Sequence, residues 1–145
     1  MTVDEYEHNC KTDAEVQARR LKACAERGCH IVEPEPNQLF VDIDSMHGLG
    51  LLHANRPALG TLVQTVACRP SPSGKAGRYH ATVTLCRPVK DAFERIMLQL
   101  LLGSDVSREA VSFKEATLGL SSPTVFFEKL AKAAPKEVEP TEVTP

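Results

Sequence analysis

The sequence contains no tryptophan, and its aromatic residues are only five phenylalanines and two tyrosines among 145 positions. This scarcity argues against a protein that recognises nucleic acid mainly by stacking bases on an aromatic surface. No apolar run approaches the roughly 20 residues that a membrane-spanning helix needs, so no membrane association is expected. The first residues are acidic and polar, unlike a signal peptide, and a cytoplasmic protein is therefore expected.

Closely spaced cysteine pairs are also missing. The five cysteines form no Cys-x-x-Cys motif, and their odd number favours reduced thiols over a disulfide framework or a zinc site. The length predicts one domain, which we place at residues 13–131. Residues 1–12 form an N-terminal extension. Residues 132–145 are rich in proline and glutamate and poor in large apolar side chains, so a disordered tail is expected there.

Acidic residues are absent from the 46 positions between 45 and 90. The same stretch holds six bases, although the whole chain has a net charge of −2: Arg56, Arg69, Lys75, Arg78, Arg87 and Lys90. Such a stretch is typical of an anion-binding surface within an acidic protein. The alternative, weighed about equally, is a chance run whose charges the fold disperses over the surface.

Hydrophobic periodicity predicts an α+β domain. A helix over 13–27, with Asp13 as N-cap and Gly28 after its end, precedes a short strand over 29–33. From residue 38 the pattern predicts a strand at 38–44, an irregular helix at 45–60, strands at 61–68 and 78–86, a helix at 90–102, and a last strand at 109–113 or 123–128. This βαββαβ order is that of a ferredoxin/RRM-like sheet, with helices on one face and here an extra N-terminal helix. The other face would be free for ligands.

Asp42 and Asp44 are the sharpest candidates for chemistry. Residues two apart on a strand point to one face, about 6.6 Å apart, so two carboxylates there can converge on one hard cation or on a metal pair. The alternative is a polar strand end with two solvated acids. Asp105 is a candidate third carboxylate, and the competing interpretation, which we favour, is that it caps a following helical turn.

The loop between the two later strands is the second candidate. Ser73, Lys75 and Arg78 lie in a stretch rich in glycine, hydroxyls and cations, which suits a phosphate, and His80 follows where the loop enters a strand. If His80 shares a face with Asp42 and Asp44, a metal–triphosphate would find carboxylates on one strand and donors on its neighbour. The alternative, favoured for this feature alone, is a mobile hairpin loop with an ordinary surface histidine.

Taken together, these residues resemble the archaeo-eukaryotic primase (primase–polymerase) superfamily, as a small phage-type member. Its first motif, hydrophobic residues followed by Asp-x-Asp, is matched by 39–44, and its second motif, a histidine after a Ser/Gly/Lys-rich turn, by 73–80. The resemblance implies that Asp42, Asp44 and Asp105 are catalytic and bind Mg²⁺ or Mn²⁺. It implies that Ser73, Lys75, Arg78 and His80 bind the phosphates of a nucleoside triphosphate.

The function expected from this resemblance is metal-dependent nucleotidyl transfer on a nucleic-acid template, in phage or plasmid-type DNA replication. The expected partners are single-stranded DNA or a primer–template, the nucleotide, and a helicase or other replication protein. Three alternatives remain at this point. They are a catalytically degenerate accessory protein of the same fold that binds nucleic acid or nucleotide, a metal-dependent nuclease or phosphohydrolase, and a small interaction protein in which the acidic pair is incidental.

Overall fold

The structure, a computed structural model, describes residues 12–129. Within that range the elements follow in the order α1 (Asp13–Arg27), β1 (Cys29–Val32), β2 (Gln38–Ile43), α2 (Met46–Asn55), a 3₁₀ segment (Arg56–Leu62), β3 (Val63–Pro70), β4 (Tyr79–Leu85), α3 (Ala92–Leu101), α4 (Val106–Thr117) and β5 (Phe126–Lys129). The α+β class is confirmed. The N-terminal extension, apart from its last residue, and the tail expected over 132–145 lie outside the described residues.

Strands β2, β4 and β3 form an antiparallel sheet with β4 in the middle. Because side chains alternate along a strand, each face of this sheet has its own composition. One face forms the core, with six fully buried side chains from β2 and β4: Leu39, Val41, Ile43, Ala81, Val83 and Leu85. The opposite face carries Phe40, Asp42 and His80. The alternation in the sequence therefore places the candidate polar residues away from the core.

Helices α2 and α3 cover the core face of the sheet. Leu52 of α2 and Leu98 of α3 pack into the core cluster, together with Leu102 directly after α3. The start of α2 touches the turn after α3 so closely that a Cβ on Gly103 would lie 2.1 Å from the carbonyl oxygen of Gly48. Gly103 also has a φ of +93°, which side chains rarely adopt. This glycine contact holds the start of α2 against the turn that leads into α4.

The outer edge of β2 is closed by polar side chains. The Phe40 N–H donates to Oε1 of Gln99 at 2.8 Å, and the Asp42 N–H donates to Oγ of Ser104 at 3.0 Å. Gln99 is completely buried and Ser104 nearly so. Backbone groups removed from water need partners of this kind, and an edge so occupied has no donors left for a neighbouring strand.

The carbonyl groups of the same edge are occupied as well. Nη1 of Arg108 donates to the backbone carbonyl oxygen of Phe40 at 2.6 Å, and the Asp105 N–H donates to the backbone carbonyl oxygen of Asp42 at 2.8 Å. The expected last strand of the βαββαβ order therefore does not join this sheet at the β2 edge in the described chain. Of the two segments proposed for it, 109–113 is wrong because it lies inside α4, and 123–128 overlaps β5, which pairs with β1 instead.

The second sheet consists of β1 and β5, paired antiparallel from Cys29 opposite Lys129 to Val32 opposite Phe126. The Phe126 ring stacks on Phe40, with centroids 4.4 Å apart, so β5 lies over the polar face of the central sheet. Phe40 is consequently only 3% exposed. The expectation that this face is free for ligands is thus corrected, because β5 covers part of it.

Several local expectations are tested at the ends of elements. The N-cap of α1 is Thr12, one residue before the expected Asp13. The Thr12 hydroxyl accepts a hydrogen bond from the Glu15 N–H at 3.2 Å. Gly28 ends the helix with a φ of +65°, as expected. The four cysteines in the described part of the chain are free thiols. Between residues 12 and 129, none of the helices has the length and apolar character needed to cross a membrane.

Candidate functional site

Asp42 and His80 face each other on neighbouring strands. They are register partners in the β2–β4 pair, and both lie on the face away from the core. Nε2 of His80 is 3.7 Å from Oδ1 of Asp42. The structure therefore brings together one member of the acidic pair and the histidine of the loop. These two residues were the basis for expecting a single shared site.

The Asp42 carboxyl lies in an environment that disfavours its charge. Burial raises the pKa of Asp42, the positive charge of Arg108 and then His80 oppose this rise, and the nearby charges of Asp105 and Asp44 add to it. The charges of Asp44 and Asp105 are thus close enough to Asp42 to disfavour its ionised form. A cation placed among them would relieve both the burial penalty and the repulsion.

Asp44 and Asp105 each have a structural partner. Asp44 is exposed and forms an ion pair with Nε of Arg78 at 3.0 Å. Asp105 is the N-cap of α4, where its Oδ2 accepts the Arg108 N–H at 3.2 Å, so the preferred capping interpretation of Asp105 is confirmed. The backbone of Asp105 is bonded to that of Asp42, which keeps the third carboxylate beside the first.

The loop before β4 is a compact turn. The Ser71 N–H donates to the Arg78 oxygen at 2.9 Å, and the Gly74 N–H donates back to the Ser71 oxygen at 3.0 Å. Ser71 and Ser73 line the cleft described below. Lys75 and Arg78 lie outside its lining, and Arg78 instead neutralises Asp44. Of the four residues expected to bind phosphates, Ser73 and His80 face one common space.

Two residues of β5 fix the position of the His80 ring. Its Nδ1 is 2.6 Å from Oε2 of Glu128, and its ring stacks on Phe126 with centroids 3.9 Å apart. Oε1 of Glu128 also pairs with Arg69, which is the register partner of His80 on β3. His80 is therefore a positioned side chain between two carboxylates, and it is only 8% exposed. The interpretation of His80 as an ordinary surface histidine is wrong.

A cleft of about 760 Å³ opens beside Asp42 and His80, between α1, α4, β5 and the Ser71–Ser73 turn. Its charged lining consists of five cations and two carboxylates: Arg19, Arg20, Arg27, Arg108, Lys129, Asp42 and Glu115. Three serines add hydroxyl groups: Ser71, Ser73 and Ser112. A concave space of this size with an excess of positive charge suits an anionic ligand, and phosphate groups in particular.

The wall between the cleft and the core is a buried polar network around Glu109. This carboxylate is 1% exposed and accepts hydrogen bonds from Ser104 (2.6 Å), Gln99 (2.9 Å) and the adjacent Arg108. Burial raises the pKa of Glu109, and its three donors and the Arg108 charge oppose that rise. The Arg108 guanidinium is also 5.3 Å from the centre of the Phe126 ring. The network ties the edge of β2 to α4 and β5.

The bases of the acid-free stretch do not form the anion site. Arg69 pairs with Glu128, Arg78 with Asp44, and Arg87 with Glu94. None of the six bases between 45 and 90 lines the cleft within the described chain. Three of the six bases are thus ion-paired with carboxylates, and the six do not contribute to the described lining of the cleft. The cations of the cleft come mainly from α1, whose arginines were not among the candidates. Their signal in the sequence is the four-residue spacing of Arg19, Ala23 and Arg27.

Metal ligands are not preassembled in this part of the chain. Among residues 12–129, no three or more side chains of the His, Cys, Asp or Glu types are grouped so that they could hold an ion. Asp44 is instead paired with Arg78, and Asp105 caps α4. Comparisons with family models, with curated proteins and with solved structures found no match for this chain.

Proposed function

We propose that this chain is a nucleotidyltransferase of the primase–polymerase type, which binds a nucleoside triphosphate in the cleft and adds it to a strand on a nucleic-acid template. The observation that carries the proposal is the pairing of Asp42 with His80 on the wall of a cleft with five cations and two carboxylates. Carboxylates for a divalent cation and donors for phosphates are what this reaction requires side by side.

The strand order of the central sheet supports the resemblance in part. Strands β2 and β3 are both antiparallel to β4, which lies between them, and α2 connects them. This is a split β-α-β unit, as in RRM-like sheets. The departure is at β5, which pairs with β1 and covers the polar face instead of adding a strand at the β2 edge. On this proposal, the substrate approaches from the side of the Ser71–Ser73 turn and α1.

The roles of the residues follow from their positions. Ser73 and His80 would donate to the triphosphate, since both line the cleft. Asp42 would be the first ligand for Mg²⁺ or Mn²⁺, with Asp105 beside it and Asp44 joining after it releases Arg78. A bound divalent ion would supply charge neutralisation at the phosphates and activation of the attacking 3′-hydroxyl. Glu128 keeps His80 in place, and the Glu109 network keeps the Asp42 backbone in place.

A second candidate is an accessory protein of the same fold that binds nucleotide or nucleic acid without synthesis. It is favoured by the internal pairing of the candidate residues, since Asp44 is bound to Arg78 and His80 to Glu128. In this case the cleft would still take up phosphates, but no metal would assemble. The two candidates therefore differ in metal-dependent product and agree in anion binding.

The test is incorporation of labelled nucleotides on primed and unprimed single-stranded DNA, with Mg²⁺ or Mn²⁺. Asp42→Ala/Asp44→Ala is compared with wild type and with Glu26→Ala/Glu35→Ala, which removes two exposed carboxylates elsewhere. Metal-dependent product that is lost in the first variant and retained in the second supports the enzyme. Nucleotide binding without product supports the accessory protein. Wild-type protein that neither incorporates nor binds nucleotide or DNA would refute both.

A further inference from the structure

The α1 side of the cleft carries cations in a regular array. Arg19, Ala23 and Arg27 are spaced by four residues, lie on one side of α1 and all line the cleft. With a rise of 1.5 Å per residue, the two arginines stand about 12 Å apart along the helix. Ala23, between them, also lines the cleft. A linear ligand with repeated negative charges fits such an array better than a single compact anion.

Arg20 gives an independent indication of a ligand at the same wall. Its side chain is more than nine-tenths buried and lines the cleft, and Nη2 donates to Oε1 of Glu115 at 2.8 Å. Nη1 of Arg20 is buried and has no hydrogen-bond partner among the described residues. A buried guanidinium N–H group without a hydrogen-bond acceptor is unfavourable, and such groups normally donate to water, an ion or a ligand. An oxyanion in the cleft would supply the missing acceptor.

The cleft also holds two carboxylates, and each lies beside a basic side chain. Glu115 is paired with Arg20, and Asp42 lies beside His80. Lys129 of β5 adds a further cation, and the Phe127 side chain also lines the cleft. Cations in a row next to an aromatic side chain are the features with which proteins hold single-stranded nucleic acid, through its backbone and one or more bases.

We propose that the Arg19–Arg27 face of α1, with Arg20 and Lys129, binds the phosphodiester backbone of a single strand that enters the cleft toward Asp42. The proposal rests on the proposed function and deepens it, because it assigns the template strand to the extra N-terminal helix. Phosphate groups of a free nucleotide have the same chemistry, so the experiment measures strand binding and nucleotide binding separately.

The experiment uses the full chain and a fluorescently labelled oligothymidylate, with affinity measured by anisotropy between about 50 and 200 mM salt. Arg27→Gln is compared with Lys22→Gln, which removes one exposed positive charge from α1 outside the cleft. Arg27 is exposed, so its replacement leaves the core intact. We expect Arg27→Gln to weaken strand binding roughly three- to tenfold and to lower the slope of log K against log salt by about 0.7. Lys22→Gln should match wild type.

Binding of a labelled nucleoside triphosphate is measured for the same variants. Weaker strand binding with unchanged nucleotide binding in Arg27→Gln supports the proposal. Equal losses for Arg27→Gln and Lys22→Gln would mean a diffuse charge effect and would overturn it. A loss of nucleotide binding alone would assign these cations to the triphosphate and would also overturn it. If wild type incorporates nucleotides while Arg27→Gln binds the strand normally, this inference fails and the proposed function stands.

Discussion

Replacing Gln99 with leucine tests whether the polar closure of the β2 edge stabilises the fold around Asp42. Gln99 is completely buried and is the acceptor for the Phe40 N–H, while its amide group donates to Glu109. Leucine has a similar volume and no hydrogen-bonding atoms, so the space stays filled. The Phe40 N–H then loses its partner, and the Glu109 carboxylate keeps only its contacts with Ser104 and Arg108.

The expected loss follows from these two bonds. A buried N–H without a partner costs about 1–3 kcal/mol, and the lost hydrogen bond to a charged group contributes about 1.5–3 kcal/mol. The added apolar burial of leucine offsets part of this sum, so the free energy of unfolding of Gln99→Leu should fall by about 3 kcal/mol. For a chain of this size, that corresponds to a decrease in Tm of roughly 10 °C.

The pH dependence of this loss identifies the Glu109 contribution. Burial raises the pKa of Glu109, and the Gln99 donor opposes that rise, so its removal raises the pKa of Glu109 further. When the pKa of a carboxyl group is higher in the folded than in the unfolded protein, its contribution to stability is complete below the pKa of the unfolded state. That contribution is lost as pH rises through the pKa of the folded state. The deficit of Gln99→Leu should therefore be larger at neutral pH than at about pH 4.

Thermal unfolding followed by circular dichroism at both pH values measures this difference. Gln64→Leu is the matched control, because Gln64 is exposed on β3, and its unfolding free energy should stay within about 0.5 kcal/mol of wild type. A Gln99→Leu protein as stable as wild type, or one with the same deficit at both pH values, would refute this account of the edge.

Two further predictions concern the glycine contact below the site and the charge of Asp42. Gly103→Ala should lower the free energy of unfolding by about 3 kcal/mol or more in chemical denaturation, because its Cβ would lie 2.1 Å from the Gly48 carbonyl oxygen and its φ is +93°. The control is Gly50→Ala, whose Cβ would meet no atom within 4 Å and which should raise the free energy of unfolding by about 0.5–1 kcal/mol. Burial raises the pKa of Asp42, so wild-type stability should decline as pH rises through that titration, and Asp42→Asn should have the higher Tm at about pH 7.5 and no advantage at about pH 4. A lower Tm for Asp42→Asn at about pH 7.5 would contradict this reasoning.

The central sheet could be predicted from local sequence because its signals are local. Leu39, Val41 and Ile43 alternate with Phe40 and Asp42, and this period of two sets which residues enter the core. The same alternation in β4 placed His80 on the polar face. The approach of His80 to Asp42 depends in addition on the pairing of β2 with β4, which the local pattern left as a condition.

The position of β5 could not be read in the same way, because it depends on contacts distant in sequence. An RRM-like order has a place for a last strand beside β2, but Gln99, Ser104 and Arg108 occupy that edge with side-chain bonds. Their polar character is ordinary in isolation, and only the folded chain brings them to the β2 backbone. The sequence does not mark the α1 arginines as site residues for a related reason, since a cationic helix face is usually solvated. These arginines become candidate ligand-binding residues only through the cleft that β5 and α4 form opposite α1.

The helix cap at Asp105 leaves part of its carboxylate able to accept further ligands. Its cap bond engages Oδ2, whereas a carboxylate has about four acceptor positions on its two oxygens. The hydrogen bond from the Asp105 N–H to the backbone carbonyl oxygen of Asp42 holds the two residues together. The negative charge of Asp105 is one of the causes that raise the pKa of Asp42. Without a cation, this arrangement costs stability, because like charges are kept close in a partly buried place. With a divalent ion the same proximity becomes favourable, so the stability expected from Asp42→Asn and the metal dependence expected of the wild type have one physical cause.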